Sequence, residues 1–413
     1  MKLDMKTRRA VTKQVAGRYR RASKKKKGKI LDEFTATTDY NRSYAATLLR
    51  KGPVPRKKKG GKGKAPRMRD GRGRKPTYGP EVLPPLRKTW GVLNFPCGRR
   101  LVAAMPEMVR VLEKFKELEL SDEVREKLLS MSSSTADRLL RGDRKKLELK
   151  SRSRTRPGSL LKHQIPIRTF ADWDDARPGF LEMDLVGHDG GNTSGDYCQS
   201  LNATDISTGW TEPRGIKNKA QVWTFEAIED MREALPFPLL GLDSDNGSEF
   251  INAHLYRYCE KEEITFTRSR EYRKNDNCYV EQKNYTAVRT YVGYMRYDTD
   301  EELGILNELY SLLRLYLNFF QPQMKLIEKT RIGSKVKKKY DHPKTPYQRV
   351  LASPYVDENV EKSLKRQYAK LNPAQLRRDI LDLQDKLYKT AVFKKENGGK
   401  EAEQDENDFE YIF

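Results

Sequence analysis

Cysteine and histidine are scarce, with four of each in 413 residues. Cys97, Cys198, Cys259 and Cys278 lie far apart and form no C-x-x-C pair, and His163, His188, His254 and His342 are equally scattered. Disulfide frameworks and zinc fingers need such residues at close, regular spacing, so both are excluded and a reducing compartment fits best. No run approaches the ~20 apolar residues that span a bilayer, which excludes a membrane helix. Met1-Lys2-Leu3-Asp4 leads into no apolar stretch, so no secretory signal is expected. Hydrophobic residues make up only 36% of the chain. That still suffices for packed cores if the polar excess is confined to tethers and tails.

Positive charge is plentiful, at net +24, and unevenly placed. Residues 1–150 hold 42 basic and 16 acidic side chains, whereas residues 151–413 hold 40 and 42. A cationic arm ahead of a near-neutral body is the electrostatic footprint of nucleic-acid binding.

The arm reads as helices. Thr7–Ser23 is a basic helical stretch, Ile30, Leu31 and Phe34 mark one face of a second helix, and Asn41–Arg50 forms a third, together a helix-turn-helix candidate. An arbitrary small bundle is the alternative. A second copy favours the first reading. Ser43-Tyr44-Ala45-Ala46-Thr47-Leu48-Leu49-Arg50 matches Ser134-Thr135-Ala136-Asp137-Arg138-Leu139-Leu140-Arg141 at five of eight positions, after a helix at Asp122–Leu129 capped by Ser121. In each copy the Ala and Leu-Leu positions face the core and the Ser and Arg positions face outward. Between the copies, Lys51–Pro76 contains Arg56-Lys57-Lys58-Lys59 and reads as a cationic tether that neutralises phosphates.

From Thr169 onward strands and helices alternate. Phe180–Gly187, Cys198–Ile206 and Trp210–Ile216 read as strands, followed by a helix at Ala220–Ala234, a strand at Leu239–Asp245, a helix at Glu249–Glu260 and a strand at Ile264–Thr267. Helices follow at Val280–Val292 and Glu302–Phe320. This order predicts a five-stranded mixed α/β sheet. Asn372-Pro373 starts a helix whose Leu376, Ile380, Leu383 and Leu387 make a stripe, either a short coiled-coil seam or a face packed on its own domain. The expected organisation is a helix-turn-helix module at 1–50, a basic linker at 51–77, a second helical DNA-binding module at 78–145, a linker at 146–168, a catalytic core at 169–325, a C-terminal DNA-binding or assembly region at 326–395, and an acidic tail at 396–413. A chain begun at Thr169 is expected to fold alone.

Three carboxylates fall where this architecture gathers them. Asp184 sits amid apolar residues of the first strand, Asp245 ends the fourth strand before Asn246-Gly247, and Glu281 opens a helix with 35 residues between it and Asp245. A carboxylate among hydrophobic residues is costly to ionise unless it is paired or metal-bound. Oxygen ligands without His or Cys select Mg²⁺ or Mn²⁺, and two such ions suit phosphodiester chemistry. Asp243 shares a face with Asp245 at strand period two and reads as a supporting acid. His188, after the first strand, either touches substrate or metal or makes a turn hydrogen bond at the surface. Arg268, Arg270, Arg273 and Lys274 form a basic loop before Glu281, and Asn284 and Arg289 follow on its helix, where amide and cationic groups suit a phosphate backbone.

These residues carry a resemblance. Leu181-Glu182-Met183-Asp184-Leu185-Val186-Gly187-His188, Asp243-Ser244-Asp245-Asn246-Gly247-Ser248-Glu249-Phe250 and Asn277-Cys278-Tyr279-Val280-Glu281-Gln282-Lys283-Asn284 resemble the catalytic core of bacterial insertion-sequence transposases of the retroviral-integrase superfamily. The similarity runs from about Thr169 to Leu351 and includes Tyr340-Asp341-His342-Pro343 and the residues after it. It implies an RNase H-like core, Asp184, Asp245 and Glu281 as catalytic metal ligands for two Mg²⁺ or Mn²⁺ ions, and DNA strand transfer in the bacterial cytoplasm near the nucleoid. The implied partners are double-stranded element ends (terminal inverted repeats), target DNA, and further copies of the chain as a dimer or higher assembly on DNA. The expected DNA contacts are Asn41, Arg42, Ser43, Arg50, Lys57, Lys58, Lys59, Ser134, Arg138, Arg141, Arg268, Arg270, Lys274, Asn284 and Arg289. The histidine–cysteine zinc module of retroviral integrases is missing, and helical modules stand in its place. The alternatives are a nuclease of the same fold that hydrolyses without strand transfer, and a DNA-binding regulator with an inactive core.

Overall fold

Short helices dominate the basic front of the chain because its apolar residues recur every three or four positions. The computed structural model describes residues 4–51, 77–145, 177–244, 250, 252–268, 283–332 and 335–397. The chain divides into two compact units, 1–75 and 76–413. In the first, α1 (Met5–Arg21), α2 (Lys24–Thr38) and α3 (Arg42–Lys51) close around Ala16, Ile30, Leu31, Phe34, Ala45 and Leu49. Asp4 caps α1 by accepting the Thr7 N–H at 2.8 Å. Asp39, in the left-handed region at φ 58°, ends α2 and turns the chain into α3.

The second unit begins with α4 (Leu83–Val92), α5 (Gly98–Lys114), α6 (Asp122–Leu129), α7 (Ser133–Leu139) and the single turn α8 (Arg141–Arg144). Gly98 lets α5 and α7 meet, since a Cβ there would lie 2.3 Å from the Ser133 carbonyl. Its free N–H donates to Asp137 at 2.8 Å. Both repeat copies are a helix, a three-residue turn and a helix. Ala45 and Ala136 are fully buried, as are Leu49 and Leu140, while Ser43, Ser134, Arg50 and Arg141 are exposed.

Alternation then takes over. β1 (Phe180–Gly187), β2 (Gln199–Asp205), β3 (Thr211–Ile216), β4 (Gly241–Ser244) and β5 (Thr265–Arg268) form one mixed sheet in the order β3-β2-β1-β4-β5. The first three strands are antiparallel, and β4 and β5 run parallel to β1. This mixed topology is consistent with an RNase H-like core. Leu181 and Met183 of β1, with Leu201, Ala203 and Leu242, join a core completed by Ala227, Ile228 and Met231 of α9 (Gln221–Ala234) and Leu255 and Cys259 of α10 (Ala253–Lys261). The opposite face of β1 is left for polar side chains and for α11 (Asn284–Arg289), a π-helical segment continued by α12 (Thr290–Val292).

An exposed edge strand is a liability, and α13 (Asp300–Phe320) covers the edge formed by β3. Asn318 accepts the Thr211 N–H and donates to the Thr211 carbonyl, both at 2.9 Å. Asn307 does the same for Gly215, at 2.8 and 3.0 Å. Two side-chain amides thus replace a missing neighbour strand. After α13 come a two-stranded ribbon, β6 (Leu326–Ile332) and β7 (Lys335–Tyr340), and then α14 (Pro346–Leu351), α15 (Glu358–Lys370) and α16 (Pro373–Asn397).

Residues 78–145 bury their apolar face on these helices. Leu86, Trp90, Leu93 and Leu112 belong to the same core as Leu309, Leu313 and Tyr316 of α13 and Ile380 and Leu387 of α16. The Tyr316 hydroxyl donates to the Val92 carbonyl at 2.6 Å, and Arg377 of α16 reaches Asn94 at 3.2 Å. The leucine stripe of α16 therefore packs within its own unit. Independent folding from Thr169 does not follow, because that cut strips one wall from this core. A chain begun at Pro76 is expected to give a cooperative thermal melt and a native near-ultraviolet spectrum. One begun at Thr169 is expected to lose both, whereas a cooperative melt from it would show the shared core to be dispensable.

Candidate active site

Strand period two sends Glu182 and Asp184 to the face of β1 opposite Leu181 and Met183. Asp184 is half-buried. Its Oδ1 accepts the Leu185 N–H at 2.8 Å, and its Oδ2 accepts from Asn284 Nδ2 at 2.6 Å. Asn284 is held in turn by Asn202, whose Nδ2 donates to Asn284 Oδ1 at 3.0 Å. Asn202 is buried and is the register partner of Asp184 across the β1–β2 pair. A chain of two amides therefore runs from the sheet through α11 and back to the carboxylate, fixing its rotamer by charge-assisted hydrogen bonding.

Asp243 lies beside this arrangement, opposite Glu182 in the parallel β1–β4 pair. Both acids are fully buried, and Thr267 Oγ1 donates to Asp243 Oδ1 at 2.6 Å. Glu182 had no motif to mark it in the sequence, although its two-residue spacing from Asp184 was the available signal. The last residue of β4, Ser244, pairs with Met183 on one side and Arg268 on the other. Asp245 and Glu281 lie outside the described residues, as do Arg270, Lys274, Lys57, Lys58 and Lys59. Among the described residues no group of three His, Cys, Asp or Glu side chains is arranged to hold a metal ion. The oxygen-only donors that are described, beginning with the half-exposed Asp184 carboxylate, fit a hard divalent cation.

Other residues singled out from the sequence have internal duties. His188 is fully buried and not at the surface. Its Nε2 lies 2.6 Å from Ser200 Oγ, which bonds in turn to the Tyr310 hydroxyl. Burial, reinforced by the Arg289 guanidinium, pushes its pKa down to about 3. Arg289 donates to the carbonyls of Gly187 at 2.7 Å and Gly293 at 3.1 Å and stacks over Tyr294. It is a strut between α11 and β1. Lys283, just before Asn284, directs its Nζ toward the Gly209 carbonyl at 3.5 Å. Burial and the neighbouring Arg100 push its ammonium down to about 7. In the front unit, Asn41 accepts the Ser43 N–H at 3.0 Å and Arg42 pairs with Asp32, both at the surface. Arg138 is exposed, and Arg268 is half-buried at the end of β5.

No family model matches the chain. A protein of Sinorhizobium fredii, described as uncharacterized protein y4rM, is 40% identical over 345 residues, which span 84% of this chain and 95% of that one. The chain belongs to the same family as that protein. Among solved structures, the catalytic core domain of BIV integrase is similar over 42% of this chain and 95% of its own, with 19% identity and a TM-score of 0.29. The HTLV-2 integrase catalytic core domain in complex with magnesium is similar over 36% of this chain and 93% of its own, with 14% identity and a TM-score of 0.28.

The buried histidine has a consequence for acid stability. Its folded pKa lies below the unfolded value of about 6.5, so the unfolded chain binds the proton more readily between the two. The stability contributed by the neutral ring is complete above pH ~6.5 and is lost as pH falls toward 3. Melting temperature is therefore expected to drop between pH 7 and 5, and to drop less steeply for His188→Gln. Equal pH slopes for the two proteins would remove His188 as the source.

Proposed function

We propose that the chain is a DNA transposase whose core performs metal-dependent 3′-end cleavage at element ends and strand transfer into target DNA. The observation that carries this reading is the 2.6 Å hydrogen bond from Asn284 to Asp184. It ties the segment three residues after Glu281 to the middle of β1. Connectivity supports bringing the third acid to the same place. Asp245 is one residue, ~3.8 Å of chain, beyond Ser244, whose neighbour in β1 is Met183.

In this reading Asp184, Asp245 and Glu281 hold Mg²⁺ or Mn²⁺. The bound ions supply activation of the attacking oxygen and stabilisation of the departing one. The protein's own part is positional. Asn202 and Asn284 hold the Asp184 carboxylate in one orientation, so little reorganisation is needed when charge develops. In the first step a water oxygen attacks phosphorus, the P–O3′ bond breaks, and the end leaves as a 3′-OH. In the second, that hydroxyl attacks a target phosphodiester and displaces a target 3′-oxygen. The two helix–turn–helix copies bind element ends, with Ser43, Arg50, Ser134, Arg138 and Arg141 on their outward sides, and the cationic linker neutralises phosphates. Joining two ends to one target takes two active sites, so the working form is at least a dimer on DNA.

The test is substitution that removes ligand charge at constant volume. Asp184→Asn, Asp245→Asn and Glu281→Gln are each expected to cost several kcal/mol of barrier, about a thousandfold or more in cleavage and in joining. Duplex affinity and its salt dependence should stay at the wild-type level. Wild-type turnover in any one variant removes that residue from the site. Cleavage without joining by the wild type would favour the nuclease reading.

A further inference from the structure

The ribbon β6–β7 opens the region at 326–395 that the sequence marks for DNA binding or assembly. It forms a separate two-stranded sheet in which six Lys or Arg residues stand against one Glu. Its register sets Lys329 opposite Lys338 and places Lys337 and Lys339 opposite Thr330 and Glu328. Directly opposed like charges destabilise a strand pair, and an isolated two-stranded sheet is marginal in water. Lys337, Lys338 and Lys339 are exposed and make no ion pair among the described residues. The one acid, Glu328, accepts from Thr330 Oγ1 at 2.7 Å.

The base of the ribbon, by contrast, is clamped. Asp341 accepts the Lys325 N–H at 2.7 Å, returns its own N–H to the Lys325 carbonyl at 3.0 Å, and pairs with Arg349 at 2.7 Å. Gln323 and Lys344 exchange backbone hydrogen bonds at 2.8 and 3.1 Å. Lys325 Nζ then donates to the Ser207 carbonyl at 2.8 Å, in the β2–β3 turn whose Gly209 carbonyl faces Lys283. One turn of the sheet therefore receives both the ribbon base and the residue preceding Asn284.

We infer that β6–β7 is a duplex-DNA prong that enters a groove beside the strand positioned at Asp184. A two-stranded ribbon fits the ~12 Å major groove. Six residues of strand extend ~20 Å, enough to follow several phosphates. Polyphosphate on both flanks cancels the cross-strand repulsion that the free ribbon carries. The cations are distributed over both strands, which fits a groove with two phosphate walls better than a flat lipid surface. The inference rests on the DNA-processing reading of the core.

The test uses the full chain and a 30-bp duplex, with affinity measured by fluorescence anisotropy across a salt series. Each phosphate contact contributes ~0.9 to the slope of log affinity against log salt. The triple variant Lys337→Gln, Lys338→Gln, Lys339→Gln is expected to lower the slope magnitude by about 2 to 3, and the corresponding triple Arg variant to retain it. Glu328→Gln should tighten binding, a gain that misfolding cannot mimic. A triple Gln variant with wild-type slope and affinity overturns the inference. So does loss of binding to phosphatidylserine vesicles with duplex binding intact, which would assign the prong to a membrane. A wild-type chain that cleaves and joins DNA while indifferent to ribbon charge overturns the ribbon alone. A wild-type chain with no salt-dependent duplex binding overturns the reading of the core as well.

Discussion

A carboxylate in the middle of a hydrophobic strand has to be held, and in this protein two amides hold it. Asn202 fixes Asn284, and Asn284 fixes Asp184. The interaction joins three pieces of sequence some 20 and 100 residues apart, and each is delivered by a different device. β1 and β2 align Asp184 with Asn202 by antiparallel register. α11 is pinned to β1 a little further along by Arg289 on the Gly187 carbonyl. Without those two constraints the amide chain has no fixed length, and the acid loses its rotamer.

The scaffold behind this site depends on α13. Its Asn307 and Asn318 satisfy the outer edge of β3, and Arg314 pairs with the buried Glu212 of the same strand. Its other flank supports α16 and the helices of residues 78–145 through a common core. The Thr299–Glu302 capping box starts the helix, and Lys394 of α16 reaches the same Glu302 carboxylate at 2.8 Å. The candidate site and the second helical repeat are thereby built on one helix. The front unit, residues 1–75, is a separate compact unit with its own small core.

Much of the sheet is legible in the sequence. β1 occupies the expected residues, and β2 to β5 begin or end within a few residues of expectation, because apolar alternation and the intervening Gly and Asn turns are local signals. Asp184 was legible for the same reason: an acid between Met183 and Leu185 contradicts its surroundings. Other features depend on partners distant in sequence. Nothing local distinguishes Asn202 from any polar strand residue, or shows that His188 turns inward to Ser200. The apolar faces of α4 and α5 read as those of a small independent module until the face they cover on α13 is known. The region at 326–395 was marked for DNA binding or assembly, but its two strands were not, and only their cross-strand register shows like charges opposed.

The central claim is that Asp184 anchors a divalent metal in a DNA-processing site. Crystals of the protein bound to a cleavable DNA end, with the reaction held by Ca²⁺ and then soaked in Mn²⁺, test it directly through anomalous scattering. An anomalous peak is expected within about 2.0–2.3 Å of the Asp184 carboxylate, with Asp245 or Glu281 oxygens completing its protein ligands. Cleavage in the soaked crystal with no manganese at Asp184 would contradict it.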